Sequence, residues 1–357
     1  MRVVQLLPTI SFGDAVSNDA LALEKVIADM GYETGIYADI IGKRLPAGAA
    51  RKTRKLTGLR SDDVIIYHKS TGTDLDYRLD RFRCRKMMIY HNITPPEFFS
   101  PYNGEAAALT AYGYEGLAHL KHRVDFCLAD SEYNKRELVM RGFTCPIEVR
   151  PILIPFSDYD KAPDSAAMER FGDGRTNILF VGRIAPNKRQ EDLIRAFYFY
   201  KKTDPTARLI LAGSDAGFGN YSDRLKAYAK ALGLEDVVFT GKISFPEILA
   251  CYRTASVFLC MSAHEGFCVP LAEAMHFDVP VIALDTTAIA GTLGGSGFLI
   301  NDSDPLFVSG VIERVVKDGE LRQQLINGQR ERLADFSYDK IRELFEKQLG
   351  KFIGREL

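Results

Sequence analysis

The sequence predicts an α/β protein built from two doubly wound domains, each with a largely parallel sheet covered by helices. Three observations support this class. The chain of 357 residues is long enough for two domains of ordinary size. Short apolar runs alternate with longer amphipathic segments along most of the chain. The alternation pauses once, near residues 151–164, so we expect one domain on each side of that pause.

The first series of elements occupies residues 3–149. A helix over 18–30 carries Ala20, Leu23 and Ile27 on one face and stops at Gly31. Helices are also expected over 105–121 and 132–140. The predicted strands are 3–7, 34–38, 64–68, 87–91, 124–129 and 147–149.

A linker is predicted where Pro151 and Pro155 precede a polar stretch that ends at Asp164. We expect domains at 1–155 and 156–337, with a last helix, 338–357, packing back on the first domain. Because ligands of such sheets bind beyond the carboxyl ends of the strands, the expected site is the cleft between the domains. The second domain's predicted strands are 178–181, 209–212, 237–240, 257–261, 279–284 and 298–300.

The composition excludes several functional classes. Lys and Arg number 46 and Asp and Glu 47, so the broad cationic face of a general nucleic-acid binder is not expected. No apolar run has the length of a membrane span, and the first residues lack the apolar core of a signal peptide. The six cysteines form no Cys-x-x-Cys pair and are expected to be buried, reduced thiols. We therefore expect a cytoplasmic protein.

The turn at Ser11–Ala15 joins the first strand to the first helix. Gly13 would let the backbone approach a ligand, and the helix that follows Asp14 favours an anion at its N-terminus. By itself, this segment is more typical of an ordinary strand-to-helix turn, since only one glycine is present.

The first strand of the second domain is followed by a basic turn. Gly182 ends the strand, and Arg183 and Lys188 flank the start of the next helix. Two cations beside a helix N-terminus can hold a diphosphate without a metal. A basic turn on a solvated face is the alternative.

A carboxylate pair follows a very apolar strand of the second domain. Glu265 lies in the loop and Glu273 early in the next helix, within an apolar setting. Carboxylates accept hydrogen bonds from vicinal hydroxyls, which is how sugars and riboses are held. Gly266 and Phe267 would offer backbone N–H groups at the helix start.

His91 ends a strand of the first domain, just before the rigid Pro95-Pro96 loop. A histidine there can meet a ligand in the cleft. A structural role fits the sequence equally well.

With these motifs, the chain resembles the retaining glycosyltransferases of family 4, which have the GT-B fold. In that fold two Rossmann-like domains face each other across a deep cleft. The N-terminal half resembles members that extend surface polysaccharides, through Gly13–Val16, Tyr90–Asn92 and Ala129–Asn134. The motifs of the other half are Gly182-Arg183 with Lys188, Leu211-Ala212-Gly213, Phe239-Thr240-Gly241-Lys242-Ile243, and Glu265 with Glu273.

The resemblance implies a role for each matching residue. Arg183 and Lys188 would bind the donor diphosphate, Glu265 the transferred sugar, and Glu273 the ribose. His91 would lie near the primary hydroxyl of the sugar. Arg183, Lys188, Glu265 and His91 are the implied catalytic set. The implied donor-binding residues are Gly13, Asp14, Gly182, Gly213, Lys242, Ile243, Gly266, Phe267, Cys268, Val269 and Glu273.

The implied reaction moves a hexose from a nucleotide sugar to a glycan or lipid-linked saccharide, with retention of configuration. Mannose from GDP-mannose is the first expectation and UDP-sugars the second. No metal or further cofactor is expected. Asp74-Leu75-Asp76 spells the Asp-x-Asp of metal-dependent transferases, but it is interpreted as incidental.

Two other functions remain open on the same residues. A sugar phosphorylase would hold free phosphate with Arg183 and Lys188. A nucleotide-sugar-binding subunit without catalysis would keep the same donor contacts. An epimerase of this architecture would need an acid/base set that the sequence does not reveal.

A basic stretch lies between Ile40 and Ser61, with seven positive charges and no acidic residue. Leu45, Leu56 and Leu59 are interleaved with the charges, which suits a short amphipathic element on an anionic membrane. A solvated basic loop explains the composition equally well. The membrane hypothesis places the protein at the inner face of the cell membrane, next to a polyprenyl-linked acceptor.

Overall fold

In a computed structural model, which describes residues 1–354, the chain separates into two compact units. Unit 1 comprises Met1–Pro96, Ala107–Pro155 and the segment from Asp335 on, and unit 2 comprises Glu97–Ala106 and Phe156–Ala334. The short segment 97–106 thus belongs to unit 2, although the residues on both sides of it belong to unit 1. Residues 355–357 of the last predicted helix lie outside the described part of the chain.

Unit 1 is built on a parallel sheet of seven strands in the order β3-β2-β1-β4-β5-β6-β7. Its side chains enter an apolar cluster on each face: Ile65 and Tyr67 of one strand point to one cluster, and Val64 and Ile66 to the other. The strands are β1 (Arg2–Ile10), β2 (Glu33–Ile41), β3 (Arg51–Lys52), β4 (Val64–Lys69), β5 (Arg85–Tyr90), β6 (Phe126–Ala129) and β7 (Ile147–Val149). The helices that follow these strands are α1 (Ala15–Asp29), α2 (Leu75–Arg78), α3 (Gly104–Leu120) and α4 (Glu132–Met140).

Unit 2 has a second parallel sheet, of six strands in the order β10-β9-β8-β11-β12-β13. Its strands are β8 (Asn177–Val181), β9 (Arg208–Ala212), β10 (Val237–Gly241), β11 (Val257–Cys260), β12 (Val281–Leu284) and β13 (Phe298–Ile300). Its helices are α5 (Ser165–Phe171), α6 (Gln190–Tyr200), α7 (Gly219–Ala231), α8 (Phe245–Arg253), α9 (Val269–His276), α10 (Ile289–Leu293), α11 (Pro305–Lys317) and α12 (Gly319–Leu333).

The last helix, α13 (Tyr338–Ile353), belongs to unit 1. Its apolar face carries Ile341, Phe345 and Leu349 into the same cluster as Leu23 of α1. The chain thus returns to its first unit after completing the second.

The strand order of each sheet reverses once. The reversal falls between β1 and β4 in unit 1 and between β8 and β11 in unit 2. Loops that leave neighbouring parallel strands in opposite directions open a crevice at the carboxyl edge, where ligands of doubly wound sheets bind. These two edges therefore position the candidate residues.

The predicted fold class is confirmed: two parallel sheets, each covered by helices on both faces. All twelve predicted strands are present, with ends displaced by at most a few residues. The sequence analysis missed β3, because a two-residue edge strand has no periodicity to detect. No helix among residues 1–354 is long and apolar enough to cross a membrane.

The interpretation of the basic stretch as an amphipathic element is wrong for its leucines. Leu56 is 6% exposed and belongs to a core cluster of unit 1, and Leu59 packs against that cluster. Leu45 packs against another cluster. Leu56 is thus unavailable to a membrane, and Leu45 and Leu59 keep only part of their surface exposed.

Candidate active site

Two glycines bring the ends of β8 and β9 into close contact. A Cβ built on Gly213 would lie 1.9 Å from the carbonyl oxygen of Gly182, which no side chain can tolerate. The backbone N–H of Gly182 in turn donates to the carbonyl of Ala212. Both predicted glycines therefore shape the carboxyl edge of the sheet, where the basic turn begins.

Lys188 and Glu265 form an ion pair across the switch point of unit 2. The Lys188 Nζ to Glu265 Oε1 distance is 2.5 Å, and the side chains are 19% and 9% exposed. Burial opposes the charge of Lys188, but the neighbouring Glu265 carboxylate prevails and raises the pKa of the lysine. Lys188 follows β8 and Glu265 follows β11, so neighbouring strands bring together residues 77 positions apart.

The loop that carries Glu265 is held by hydrogen bonds to its neighbours. The backbone carbonyl of Asn187 accepts from the backbone N–H of Ala263 at 2.8 Å, and Asn187 Nδ2 donates to the carbonyl of His264 at 3.2 Å. The backbone N–H of Glu265 donates to Thr287 Oγ1 at 2.9 Å. The carboxylate is thus fixed on both sides, through its own backbone and through Lys188.

The loop ends at Cys268, which has a positive φ of 70° and precedes α9. A non-glycine residue in this conformation is strained, and such strain clusters at ligand sites. The Cys268 side chain makes no capping hydrogen bond to this helix start, where the partial positive charge of the helix dipole lies. Gly266, Phe267 and Val269 lie in the same short segment.

Glu273 lies in the second turn of α9 between two tyrosines. Tyr159 donates to its Oε1 and Tyr252 to its Oε2, each at 2.6 Å. Burial raises the pKa of Glu273, and the two hydroxyl donors counteract only part of that rise. Each carboxylate oxygen can accept a second hydrogen bond beside the tyrosine that already donates to it. The sequence analysis missed both tyrosines.

Arg183 is held against aromatic rings. Its guanidinium carbon lies 5.3 Å from the ring centre of Phe218 and 5.7 Å from that of Phe99. Phe99 is in the segment 97–106, which belongs to unit 2. Cation–π contacts on two rings restrict the directions that this guanidinium can take. The two phenylalanines carried no sequence signal for this role.

Lys242 and Ile243 follow β10 at the same edge. Gly241 forms an isolated bridge to Gly213, which ties this loop to the end of β9. Lys242 is exposed, whereas Ile243 packs against the core of unit 2. The neighbouring strands β8, β9 and β10 therefore each have a glycine at the carboxyl end: Gly182, Gly213 and Gly241.

In unit 1, the predicted glycine turn is solvent-exposed. Gly13 has a φ of 79°, and no heavy atom lies within 4 Å of the position that a Cβ would take there. Asp14 is the N-cap of α1: its Oδ2 accepts from the backbone N–H and the hydroxyl of Ser17, at 3.0 and 2.8 Å. The Asp14 carboxylate thus has a structural role, while Gly13 keeps its backbone open.

His91 lies in a buried chain of hydrogen bonds, with a side chain that is 1% exposed. Gln5 Oε1 can only accept, so His68 must donate to it through Nε2–H, over 2.9 Å. His68 Nδ1 is then an acceptor, and His91 Nε2 donates to it over 2.9 Å. The other nitrogen of His91 contacts Asp130 Oδ2 at 2.7 Å. Both nitrogens of His91 are therefore engaged inside unit 1.

The charges beneath this chain are paired as well. Asp19 and Arg150, both 0% exposed, form a bidentate ion pair with distances of 2.9 and 2.6 Å. Burial lowers the pKa of His68, whereas Asp130 outweighs burial and raises the pKa of His91. Two buried atoms of this network, Asp130 Oδ1 and Arg150 Nε, have no hydrogen-bond partner among the described residues.

The Asp-x-Asp segment is occupied by contacts of its own. Asp76 is buried, pairs with Lys69 at 2.6 Å and accepts from Tyr67 at 2.7 Å. Asp74 is exposed and accepts from Tyr112. The two carboxylates thus serve different structural partners.

Two groups of possible metal ligands occur within residues 1–354. Asp19 of the first group is already bidentate to Arg150. Glu265 of the second pairs with Lys188, beside the thiols of Cys260 and Cys268. Neither group offers a carboxylate without a cationic partner, so the donor sets fit ion pairs better than a metal.

Comparison with known proteins gives a consistent result. Residues 163–332 match the family model "Glycosyl transferases group 1". The chain is 29% identical over 225 residues to the D-inositol 3-phosphate glycosyltransferase of Kineococcus radiotolerans, covering 57% of this chain and 52% of that protein. The chain spans about half the length, or less, of such curated relatives.

A second relative is an enzyme of Campylobacter jejuni, 26% identical over 178 residues, which cover 49% of this chain and 48% of that protein. It is named GalNAc-alpha-(1->4)-GalNAc-alpha-(1->3)-diNAcBac-PP-undecaprenol alpha-1,4-N-acetyl-D-galactosaminyltransferase.

The solved structure of Anabaena HepE, in complex with UDP and glucose, matches 98% of this chain and 100% of that one, with a TM-score of 0.78 and 17% identity. This likeness shows the fold, two Rossmann-like α/β domains of the GT-B type.

Proposed function

On the premise that the chain carries a glycosyl transferases group 1 domain in a GT-B fold, we propose that it transfers a hexose from a nucleotide sugar to a glycan or lipid-linked saccharide. The observation that carries the proposal is the Lys188–Glu265 pair at the switch point of unit 2. A cation, a carboxylate and a helix N-terminus meet there on loops of neighbouring strands. This combination suits a ligand that has both a diphosphate and sugar hydroxyls.

Lys188 places a positive charge beside the leaving diphosphate. Its raised pKa keeps the ammonium protonated at neutral pH. An ammonium has three N–H donors, and Glu265 takes one, so the others can reach phosphate oxygens. As the bond to the anomeric carbon breaks, negative charge grows on the diphosphate. A preorganised cation stabilises that charge more than it stabilises the intact donor.

Glu265 orients the transferred sugar by accepting hydrogen bonds from its hydroxyls. The ion pair fixes the position of this carboxylate, and its oxygens are hydrogen-bond acceptors for sugar hydroxyls. Glu265 is assigned no nucleophilic role. The acceptor oxygen bonds to the anomeric carbon on the face from which the diphosphate leaves, and its proton passes to the leaving phosphate.

Glu273 would bind the donor ribose through hydroxyl hydrogen bonds. The tyrosines that hold it in place leave lone pairs on both oxygens. Its raised pKa makes donor binding sensitive to acid, because a protonated Glu273 would lose an acceptor.

Two donors should be tested first. The resemblance of the sequence to surface-polysaccharide enzymes suggests GDP-mannose, and the UDP and glucose bound by HepE favour UDP-glucose. The acceptors named for the relatives are inositol 3-phosphate and an undecaprenol-diphosphate-linked saccharide. Both acceptors carry phosphate.

The test is a transfer assay with each donor, supplied with inositol 3-phosphate or a membrane lipid extract. Release of nucleoside diphosphate together with an α-linked product, identified by NMR, is the expected result. Activity in excess chelator would support the metal-independent mechanism, and its loss with rescue by magnesium or manganese would overturn it. Sugar 1-phosphate formed from free phosphate would instead identify a phosphorylase. Nucleotide binding without turnover would identify a silent binding subunit.

A further inference from the structure

Unit 1 contains a basic pocket that the proposed chemistry does not use. A cavity of about 300 Å³ is lined by Asp39, Lys52, Thr53, Arg54 and Arg78. A second cavity, of about 380 Å³, shares the last three of these residues and extends the pocket to Arg81. We refer to the two together as the basic pocket.

The charges of the basic pocket do not cancel. Its one carboxylate, Asp39, pairs with Arg78 and accepts from the hydroxyl of Thr53. Lys52 donates through Nζ to the backbone carbonyl of Asp39 at 2.6 Å. Arg54 and Arg81 are exposed and form no ion pair with any described residue. Four cations thus face one anion.

The arginines are held by short, anchored elements. Arg54 lies in the 3-10 turn Thr53–Lys55, which Leu56 fixes to the core. Arg78 ends α2, and Arg81 ends the 3-10 turn Leu79–Arg81 that follows it. Guanidinium groups on fixed backbone bind phosphate bidentately at a smaller entropic cost than groups on a mobile loop.

The shape of the basic pocket favours binding of a single anionic group over binding of a membrane surface. Leu56 is buried in a core cluster, and Leu45 and Leu59 pack partly against core clusters, so little apolar surface accompanies the charges. The floor of the larger cavity is apolar instead, through Leu56, Leu75 and Phe82. A concave site with cations at its rim suits a single anionic group better than a flat bilayer.

We propose that the basic pocket binds the phosphate or diphosphate group of the acceptor. This inference rests on the proposed glycosyl transfer, since it names the substrate class that unit 1 would take. Arg54 and Arg81 would contact the phosphate, and Lys52 and Arg78 would add to the positive potential. The shared chemistry is a phosphate ester, whether it belongs to a free sugar phosphate or to a lipid-linked diphosphate.

The test is calorimetric titration of the full chain with inorganic pyrophosphate, with the donor site saturated by whichever of UDP and GDP binds the parent. Replacing both Arg54 and Arg81 with Gln should raise the dissociation constant by about tenfold or more, because two charge-assisted contacts are lost. The matched control is Lys55→Gln with Arg83→Gln, which removes equal charge from exposed neighbours outside the lining of the pocket. The control should leave pyrophosphate binding within about twofold of the parent.

Equal losses in the two double variants, or no pyrophosphate binding by the parent, would overturn the proposal. Loss of binding to phosphatidylglycerol vesicles with unchanged pyrophosphate binding would also overturn it, in favour of a membrane surface. Titrations with farnesyl diphosphate and inositol 3-phosphate distinguish a lipid-linked diphosphate acceptor from a free sugar phosphate acceptor. Whichever binds more tightly than pyrophosphate, with the same dependence on Arg54 and Arg81, identifies a lipid-linked or a free acceptor.

The failure of this proposal can be distinguished from failure of the proposed function. UDP and GDP binding are measured first, in the same titration series. If neither nucleotide binds, the proposed function fails. The pyrophosphate titration is then repeated on Lys188→Ala, in which the other candidate anion site is disabled.

Discussion

The two units carry different chemistry near the carboxyl edges of their sheets. In unit 2, Lys188 and Glu265 keep part of their surface exposed beside an uncapped helix start. In unit 1, Asp19 and Arg150 are fully buried, and His91 has both nitrogens engaged. The ion pair of unit 2 joins the loops that follow β8 and β11, whereas the pair of unit 1 joins Asp19 of α1 to Arg150, which follows the edge strand β7.

This difference teaches that position in the fold does not by itself define a binding residue. A charged side chain near a strand end can bind a ligand only if it has hydrogen-bond donors or acceptors that its protein partners do not use and that the ligand can reach. Lys188 has N–H groups beyond its bond to Glu265 and keeps part of its surface exposed, whereas the atoms that the unit 1 network leaves without a partner, Asp130 Oδ1 and Arg150 Nε, are buried. We therefore expect substitutions in the buried Asp19–Arg150 network of unit 1 to reduce stability, and substitution of Lys188 in unit 2 to reduce turnover.

The largest expected effect is on the stability of unit 1. Asp19→Asn leaves Arg150 buried without its counterion, which should lower the free energy of unfolding by about 3–5 kcal/mol. Asp29→Asn, which breaks an exposed pair with Arg342, should change it by less than about 1 kcal/mol. Urea denaturation measures both. Equal effects would mean that the buried network has no special structural role.

The pH dependence of the same pair follows from its charges. Burial alone would raise the pKa of Asp19, but Arg150 holds it below the ordinary value of 3.8. A carboxylate whose pKa is lower in the folded state than in the unfolded state stabilises the fold at any pH above its unfolded-state pKa. This stabilisation is lost as the pH falls through its folded-state pKa. The parent should therefore lose more stability than Asp19→Asn when the pH is lowered below about 4.

In unit 2 the expected loss is catalytic. Lys188→Ala should reduce kcat by about 100- to 1,000-fold, corresponding to about 3–4 kcal/mol of lost transition-state stabilisation. Lys201→Ala is the matched control, because Lys201 also forms a 2.5 Å ion pair in unit 2 and is similarly shielded, at 18% exposure. Nucleotide release is measured for both variants. A comparable loss in the control would assign the effect to folding.

A smaller loss is expected where the strand ends meet. Gly213→Ala forces a Cβ against the carbonyl of Gly182, so it should cost about 1–3 kcal/mol of stability and weaken nucleotide binding. Gly310→Ala, in an open position of α11, should instead stabilise the chain by about 0.5–1 kcal/mol. Thermal unfolding distinguishes the two substitutions. A tolerated alanine at 213 would show that the close approach of the two strand ends is not required.

The smallest effect concerns the acid limit of donor binding. Tyr159 donates to the Glu273 carboxylate and thereby lowers its pKa, so Tyr159→Phe should raise that pKa further. Loss of this hydrogen bond costs about 1 kcal/mol, and the acid limb of nucleotide affinity should move to higher pH. Tyr198→Phe, on α6, should leave the limb in place. If the acid limb of nucleotide affinity lies at the same pH in Tyr159→Phe as in the parent, Glu273 does not take part in donor binding.

Much of the fold was predictable because apolar runs and helical stripes are local patterns. All strands long enough to show a pattern were predicted, and so were the loops that carry Lys188 and Glu265. The assignment of residues 97–106 to unit 2 could not be predicted, because no local sequence pattern marks a segment that belongs to a different unit from the residues on both sides of it.

The partners in the candidate site were harder to predict. Tyr159 precedes Glu273 by 114 residues, and only the packed fold brings them together. The buried network around His91 depends on Gln5, His68 and Asp130, which lie on three different strands or their ends. The tautomers, and hence the availability of His91, follow from those contacts and not from its place in the sequence.

The central claim is that unit 2 binds a nucleoside diphosphate through Lys188 and Glu273. Calorimetric titration of the parent, Lys188→Ala and Glu273→Ala with UDP and GDP tests it most directly. We predict that one nucleotide binds the parent, that both variants bind it at least about tenfold more weakly, and that Lys201→Ala binds it like the parent. Binding that is unchanged in both site variants, or no binding of either nucleotide to the parent, would contradict the claim.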